Sequence, residues 1–424
     1  MFTALKNAFK IPDLKKKLVY TLLMLVVFRV GSAIPVPGIN VEVIRQMLQQ
    51  YTSFSSFYDL VSGGALNNFT IFALGVGPYV TSSIIIQLLA VAIPALEDMQ
   101  KSGEEGRKQI MQITRYTTVA LALLQSTALG IGFFRSALVD NSFLNQASVV
   151  LTLTAGSAFL MWLGEQITEK GIGNGISTLI FAGIVSRVPS GAIKTFELLQ
   201  TKELSIVEFL LFMALYLAII VGVIMVLEAV RKVQVQHAKR VIGRKTYGGQ
   251  STHIPIKINQ AGVIPVIFAS SFLMMPNLLG IFIKNQSYQT FVSKYFSTQG
   301  PPGLYVYALL EFLLVVGFSY FYVEIIFKPD EIADNLKNSA GFIPGIKPGR
   351  NTAEYLQEIS NRLTLAGALF LAAISAIPIL ILGFTSIPFR FGGTSLLIVV
   401  GVALETMKQI EAQMVMRHYQ GFLK

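Results

Sequence analysis

Ten apolar runs, each close to one bilayer thickness in length, constrain this chain more than any other feature. They lie at 18–35, 69–92, 115–134, 147–167, 172–193, 205–227, 258–283, 303–327, 362–383 and 392–413. About 20 apolar residues in a helix cross the hydrocarbon core. Lipid offers backbone groups no partners, so segments of this kind span as helices. The expected fold is therefore an all-α polytopic membrane protein with ten transmembrane helices. Composition agrees: 53% of the 424 residues are hydrophobic and 13% are charged, far from the balance of a soluble domain.

The net charge of +11 would suit a nucleic-acid binder, but the basic residues sit between the apolar runs. The N-terminus, the even-numbered loops (94–115, 168–171, 228–257, 328–362) and the C-terminus hold 25 of the 34 Lys and Arg; the odd-numbered loops hold 8, and Arg29 completes the total. Positive charge marks the cytoplasmic side, which predicts both termini there. The first run imitates a secretion signal, with Lys15-Lys16-Lys17 ahead of LVYTLLMLVVF and Gly31-Ser32-Ala33 as a cleavage-like triplet. Arg29 interrupts it and nine spans follow, so it reads as a retained first span. Ten spans divide as 1–193 and 194–424, five apiece, and an inverted repeat places a functional path at the repeat interface.

The chemistry available is narrow. There are no cysteines, and His237, His253 and His418 lie outside the runs. HExxH, P-loop and GxSxG patterns are absent, so no enzymatic activity and no metal or cofactor site is expected. None of the six Asp falls within a run; Glu165, Glu228 and Glu324 lie near span ends, while Glu311 and Glu405 sit further in. That leaves little for ion coupling. A small-solute transporter, the rival reading, needs convergent polar groups at the midplane, and an intramembrane protease needs a catalytic pair; the runs offer few such groups.

What the runs do offer is apolar and regularly spaced. Val76 and Val80, like Ile176 and Ile180, are four apart on a helix face beside glycine-rich strings, GVGP and GIGNGI. Such pairs serve either as bundle core or as a constriction that blocks ions by dewetting. Polar Thr81, Ser82, Gln87 and Gln125 suit a seam that can part, and equally suit ordinary interhelical bonding. Residues 54–64 are too short to span. Phe54, Phe57, Tyr58 and Val61 form one apolar face, followed by the hinge Gly63-Gly64. This segment is either a re-entrant half-helix blocking an aqueous path or a surface loop. The basic loops 228–257 (with Arg244 and Lys245) and 328–362 are longer than topology requires, which suits either orientation signals alone or a docking surface for an acidic partner.

Over nearly the whole chain and in order, the strings FRVGSAIPVPG (28–38), SGGAL (62–66), IFALGVGPYVTSSIIIQLL (71–89), GIGNGIS (171–177), QSTHIPIKINQAGVIP (250–265), ADNLKNSAGFIPGIKPG (333–349) and FGGTSLLIVV (391–400) resemble the SecY family, the channel subunit of the bacterial preprotein translocase. The resemblance implies two pseudo-symmetric inverted five-helix halves around a protein-conducting channel in the bacterial cytoplasmic membrane. It implies a pore ring of Val76, Val80, Ile176, Ile180, Ile267 and Ile398. The plug would comprise Phe54, Phe57, Tyr58, Leu60, Val61, Gly63 and Gly64. A lateral gate between spans two and three and spans seven and eight would include Thr81, Ser82, Gln87, Gln125 and Asn259. Arg240, Arg244, Lys245, Lys347 and Arg350 would receive the SecA motor or the ribosome. SecE-like and SecG-like small subunits, signal sequences, preproteins and the lipid bilayer complete the implied partners. Lys347 stands where the family usually has Arg, keeping the charge and losing the planar fork.

Overall fold

The computed structural model describes residues 9–50, 62–202, 205–237, 240–242, 245–247, 251–283, 285–296, 300–382 and 393–421. Each of the ten apolar runs contributes a helix. α1 (Pro12–Gly31) starts with Pro in its first turn, where a missing N–H costs nothing. After the short amphipathic α2 (Val41–Gln50) come α3 (Gly77–Ala92), α4 (Pro94–Lys101), α5 (Gly103–Thr127), α6 (Phe143–Lys170), α7 (Gly175–Val185), α8 (Val188–Gln200) and α9 (Ile206–Glu228). The later spans are α10 (Ile264–Phe282), α12 (Gly303–Ile326), α14 (Arg350–Leu382) and α15 (Gly393–Gly421), with α11 (Gln286–Tyr295) and α13 (Pro329–Asn338) between them.

Among the described residues, seven helical segments are long and apolar enough to cross a bilayer. α3 joins them when counted with α4, from which it is bent by 102°. The other two runs are α1, whose Lys15–Lys17 and Arg29 dilute its apolar stretch, and α10, apolar over Ile264–Leu273. The outward faces are apolar too. On α9 only Val223 is buried, while Leu210, Leu211, Leu217, Val221 and Met225 are exposed, as expected where lipid is the solvent.

Two spans depart from the continuous helices expected. The second run was expected to be helical from residue 69, yet its helix begins at Gly77; residues 63–76 are mostly turns, with Phe69 and Gly75 at φ 43° and 58°. This irregular backbone is buried in protein: Ala65, Leu66, Phe69, Phe72, Ala73 and Leu74 are nearly inaccessible. It is tied to the end of the first span by amide bonds from Val36 to Phe69 (2.9 Å) and from Ile71 to Ile34 (3.0 Å). The fifth run breaks at Ser186–Arg187, and Pro189 opens α8, because Pro fits a first helical turn and not an interior one.

The long basic loops carry structure that an all-α expectation omits. β1 (Val230–His237) pairs antiparallel with β4 (Ser251–Lys257) on one edge and with β5 (Gly341–Phe342) on the other. A separate hairpin pairs β2 (Arg240–Ile242) with β3 (Lys245–Tyr247). Val233 and Val235 are buried, while Arg231, Lys232, Gln234 and Gln236 face out, the period-two pattern of a half-buried strand. These valines join Ile256, Ile343 and Leu356 in a small core outside the spans, so the two loops form one body.

Candidate functional site

The six aliphatic side chains singled out as a ring meet in one apolar cluster. Val76, Ile180 and Ile398 are buried in it, and Val80, Ile176 and Ile267 pack against it from partly exposed positions. They come from four places in the chain: the start of α3, and helices α7, α10 and α15. Val76 caps α3 and accepts the Val80 amide at 3.0 Å, which sets the two valines one turn apart. Ile176 and Ile180 do the same along α7. Phe28, Phe72, Leu160, Leu163 and Leu179 surround them. No group in the cluster carries a charge or a side-chain hydrogen-bonding preference. It can exclude water and ions, and it can part without breaking a specific bond.

Two glycines position this waist, and sequence reading missed them. Gly164 on α6 lies directly under Ile176, where any side chain would collide with the isoleucine. Gly183 on α7, one turn past Ile180, faces Gly63. A Cβ on Gly63 would stand 2.5 Å from the Gly183 Cα, and Gly63 and Gly64 have φ of +64° and +87°. Only a residue without Cβ fits both the close approach and that backbone. Gly63-Gly64 thus packs against the helix that supplies two of the six cluster residues, and Ala65 just after them is buried in that cluster. Phe54, Phe57, Tyr58, Leu60 and Val61 lie outside the described residues. Arg29 donates to Ser186 Oγ at 3.2 Å at the end of α7.

Of the five expected gate residues, Thr81, Ser82 and Gln87 lie on α3, Gln125 lies on α5, and Asn259 lies just before α10. Ser82 Oγ donates to the Thr114 carbonyl at 3.0 Å, joining α3 to α5 on one side of the expected seam. Gln87 bonds Ser83 within α3 at 3.2 Å, and Thr81 and Gln125 are half-buried. Asn259 is buried and donates to the Gly262 carbonyl at 3.0 Å, shaping the turn that enters α10. On the other side α10 and α12 are joined by aromatic edges, Phe268 against Phe318 (5.8 Å) and Tyr322 (6.1 Å). The two sides touch chiefly where the π-helical turn 128–133 after α5 meets α10.

Further polar ties were not legible. Arg115 Nε meets Glu165 Oε1 at 2.7 Å, joining α5 to α6. In the GIGNGIS loop, whose irregularity was legible, three amides find side-chain acceptors on other parts of the chain. Ile172 donates to Thr21 Oγ1 (3.1 Å), Gly173 to Gln409 Oε1 (2.9 Å) and Gly175 to Thr168 Oγ1 (2.8 Å). That knot joins α1, α6, α7 and α15.

Of the expected docking residues, Arg240 and Lys245 lie on the two strands of the hairpin, and Arg244, between them, lies outside the described residues. Lys347 is exposed, and its carbonyl accepts from Thr352 Oγ1 at 3.0 Å. Arg350 opens α14 and pairs with Glu354 at 2.9 Å in full exposure; such surface pairs add little stability. On α4, the hydrogen bond from Lys101 holds the Glu97 carboxyl below the usual carboxylate range and holds Lys101 above the usual amine range.

The SecY family model matches residues 70–407. The protein translocase subunit SecY of Halalkalibacterium halodurans is 48% identical over 436 residues, covering all of both chains. A solved SecY structure concerned with the plug domain and the closed translocation channel superposes with a TM-score of 0.70 at 21% identity, covering 95% of this chain and 92% of that one. Sec61 from a canine ribosome-channel complex gives 0.66 at 20% identity, covering 95% and 93%. The two structures share the fold, and the sequence match, which runs through the waist, the glycine knot and the basic sheet alike, makes this chain a member of the SecY family.

Proposed function

We propose that the six-residue waist is the closed barrier of a protein-conducting channel, and that unfolded preproteins pass when it parts around them. The observation that carries this reading is the convergence of six aliphatic side chains from four separate segments into one uncharged cluster. Such a barrier discriminates against ions by refusing water, and it yields to a chain of any sequence. The plug is the segment 54–64, which ends in the hinge Gly63-Gly64 packed against Gly183. Apolar segments leave sideways between the α3–α5 pair and the α10–α12 pair. The halves 1–193 and 194–424 move apart about this path.

With no nucleotide-binding motif of its own, the channel draws energy from a partner. The two-loop basic body, with Arg240, Arg244, Lys245, Lys347 and Arg350, receives a SecA motor or a ribosome; the ribosome-bound Sec61 relative supports the second. SecE-like and SecG-like subunits complete the complex in the bacterial cytoplasmic membrane, with both termini cytoplasmic, as the distribution of Lys and Arg indicates. The test is reconstitution with a SecE-like subunit, SecA, ATP and a signal-bearing preprotein. Protease protection that depends on ATP and the signal supports the reading. Absence of protection in a folded, SecA-binding preparation overturns it.

A further inference from the structure

Among the described residues, Glu311 on α12 is the one buried side chain of an ionisable type, 1% exposed. Its Oε1 accepts from the Ser375 hydroxyl of α14 and from Thr394 Oγ1 of α15 at 3.4 Å. Three spans therefore meet on one carboxyl oxygen. The packing around it is tight: Gly393 lies against the Ile374 carbonyl where a side chain would not fit. The surroundings are apolar, with Val315, Ile374, Leu397, Val266 and Ala269 in the adjoining cluster.

The groups that face it from each packed element are few. On α12 itself, Tyr307 lies one turn earlier. α14 over 364–382 and α10 over 264–282 contain no Asp, Glu, Lys, Arg or His. On α15 the first ionisable residue after Thr394 is Glu405, ~16 Å further along at the helical rise. On α11, Lys294 is exposed and stands over the Tyr295 ring at 5.6 Å. Among the described residues no cation pairs with Glu311. A carboxylate without a cation in such surroundings is disfavoured, and the described polar partners of the carboxyl are the two hydroxyls on Oε1.

Thr394 stands one turn before Ile398 on α15, on the same face. We propose that Glu311 is a positioning residue for the closed waist: as the uncharged acid it ties α12, α14 and the first turn of α15 together and so fixes where Ile398 enters the ring. Ionisation releases the proton to water, draws water to the carboxylate and loosens that turn. This rests on the waist being the barrier.

The experiment measures resting ion leak of the reconstituted full complex between pH 6 and pH 9, with Ile180→Asn as a control for the waist itself. Glu311→Gln keeps the acceptor without the charge and stays tight at every pH. Glu311→Leu leaks, and Thr394→Val, which removes one donor, leaks less. The wild type leaks more as pH rises, approaching about tenfold per unit below the midpoint of the group, and Glu311→Gln is flat. Independently of any leak, a hydrophobic carbodiimide, which attacks protonated buried carboxyls, labels residue 311 of the wild-type complex at neutral pH. Glu311→Gln leaking as much as Glu311→Leu would overturn the proposal, since the charge would then be what holds the junction, for instance against Arg390, which lies outside the described residues. Tight Glu311→Leu beside a leaking Ile180→Asn would overturn it as well. A tight Ile180→Asn would instead remove the waist reading on which it rests.

Discussion

The waist and the basic sheet are built on opposite plans. The waist takes one or two aliphatic residues from each of four segments, as far apart in sequence as Val76 and Ile398, and its chemistry is uniformly apolar. The sheet pairs β1 with β4 on one edge and with β5 on the other, and β1 turns Arg231 and Lys232 outward. A barrier has to be uniform in chemistry and assembled from parts that can separate. A docking surface has to be specific in charge and hold its shape. On the proposed roles, the first region should tolerate little polarity and the second should tolerate exchange of one cation for another.

The strongest way to break this contrast is to make the waist polar. Ile180→Asn buries an amide without a partner, a cost of ~1–3 kcal/mol. Resting ion leak in proteoliposomes is expected to rise about tenfold to a hundredfold, each 1.4 kcal/mol being a factor of ten. Unchanged conductance would remove Ile180 from the barrier. Next in size is Gly63→Ala. The added methyl meets the Gly183 Cα at 2.5 Å and takes a φ of +64°, so ~1–2 kcal/mol is lost and leak rises about tenfold; a tight variant would detach the hinge from the seal. A smaller change follows Gln409→Leu, which leaves the Gly173 amide without its acceptor. The expected loss is ~1 kcal/mol, about fivefold in the closed-to-open ratio, with Gln409→Glu restoring it.

The docking body should give the reverse pattern. Charge reversal at Arg240 and Lys245 is expected to lower motor- or ribosome-driven transport and leave resting leak unaltered; a changed leak would show that the two regions are not separable. The smallest effect expected is that of Lys347→Arg, within ~0.5 kcal/mol in stability. Transport rises if the contact there needs a planar fork, and a flat result assigns it to charge alone.

The apolar runs were legible because a spanning helix writes its length directly into the sequence. The meeting of six valines and isoleucines in one cluster was also legible, since spacing picked out two pairs and the family strings added Ile267 and Ile398. The turns at 63–76 were not legible, because Phe69, Phe72 and Leu74 are as apolar as any span and only the positive φ at Phe69 and Gly75 separates them from a helix. The sheet was hidden by cationic residues: Arg231 and Lys232 mask the alternation that Val233 and Val235 carry. Partnerships such as Gly63 with Gly183, or Arg115 with Glu165, depend on which helices become neighbours, and no local pattern encodes that. Thr81, Ser82, Gln87 and Gln125 were grouped by polarity, and polarity alone does not say which partner each side chain takes: Ser82 bonds the Thr114 carbonyl of α5, while Gln87 bonds Ser83 on its own helix.

The two residues of β5 have a mechanical consequence. They join the edge of β1 through Gln236–Phe342 and His237–Gly341, so the loop after α9 and the loop after α12 are coupled mechanically. On the proposed docking at Arg240, a partner's push would reach α9 through β1, α10 through β4 and α14 through β5. The body acts as a lever with a single handle and two arms, and the stiffness of that short edge sets how much of a partner's push reaches the helices before the strands slip.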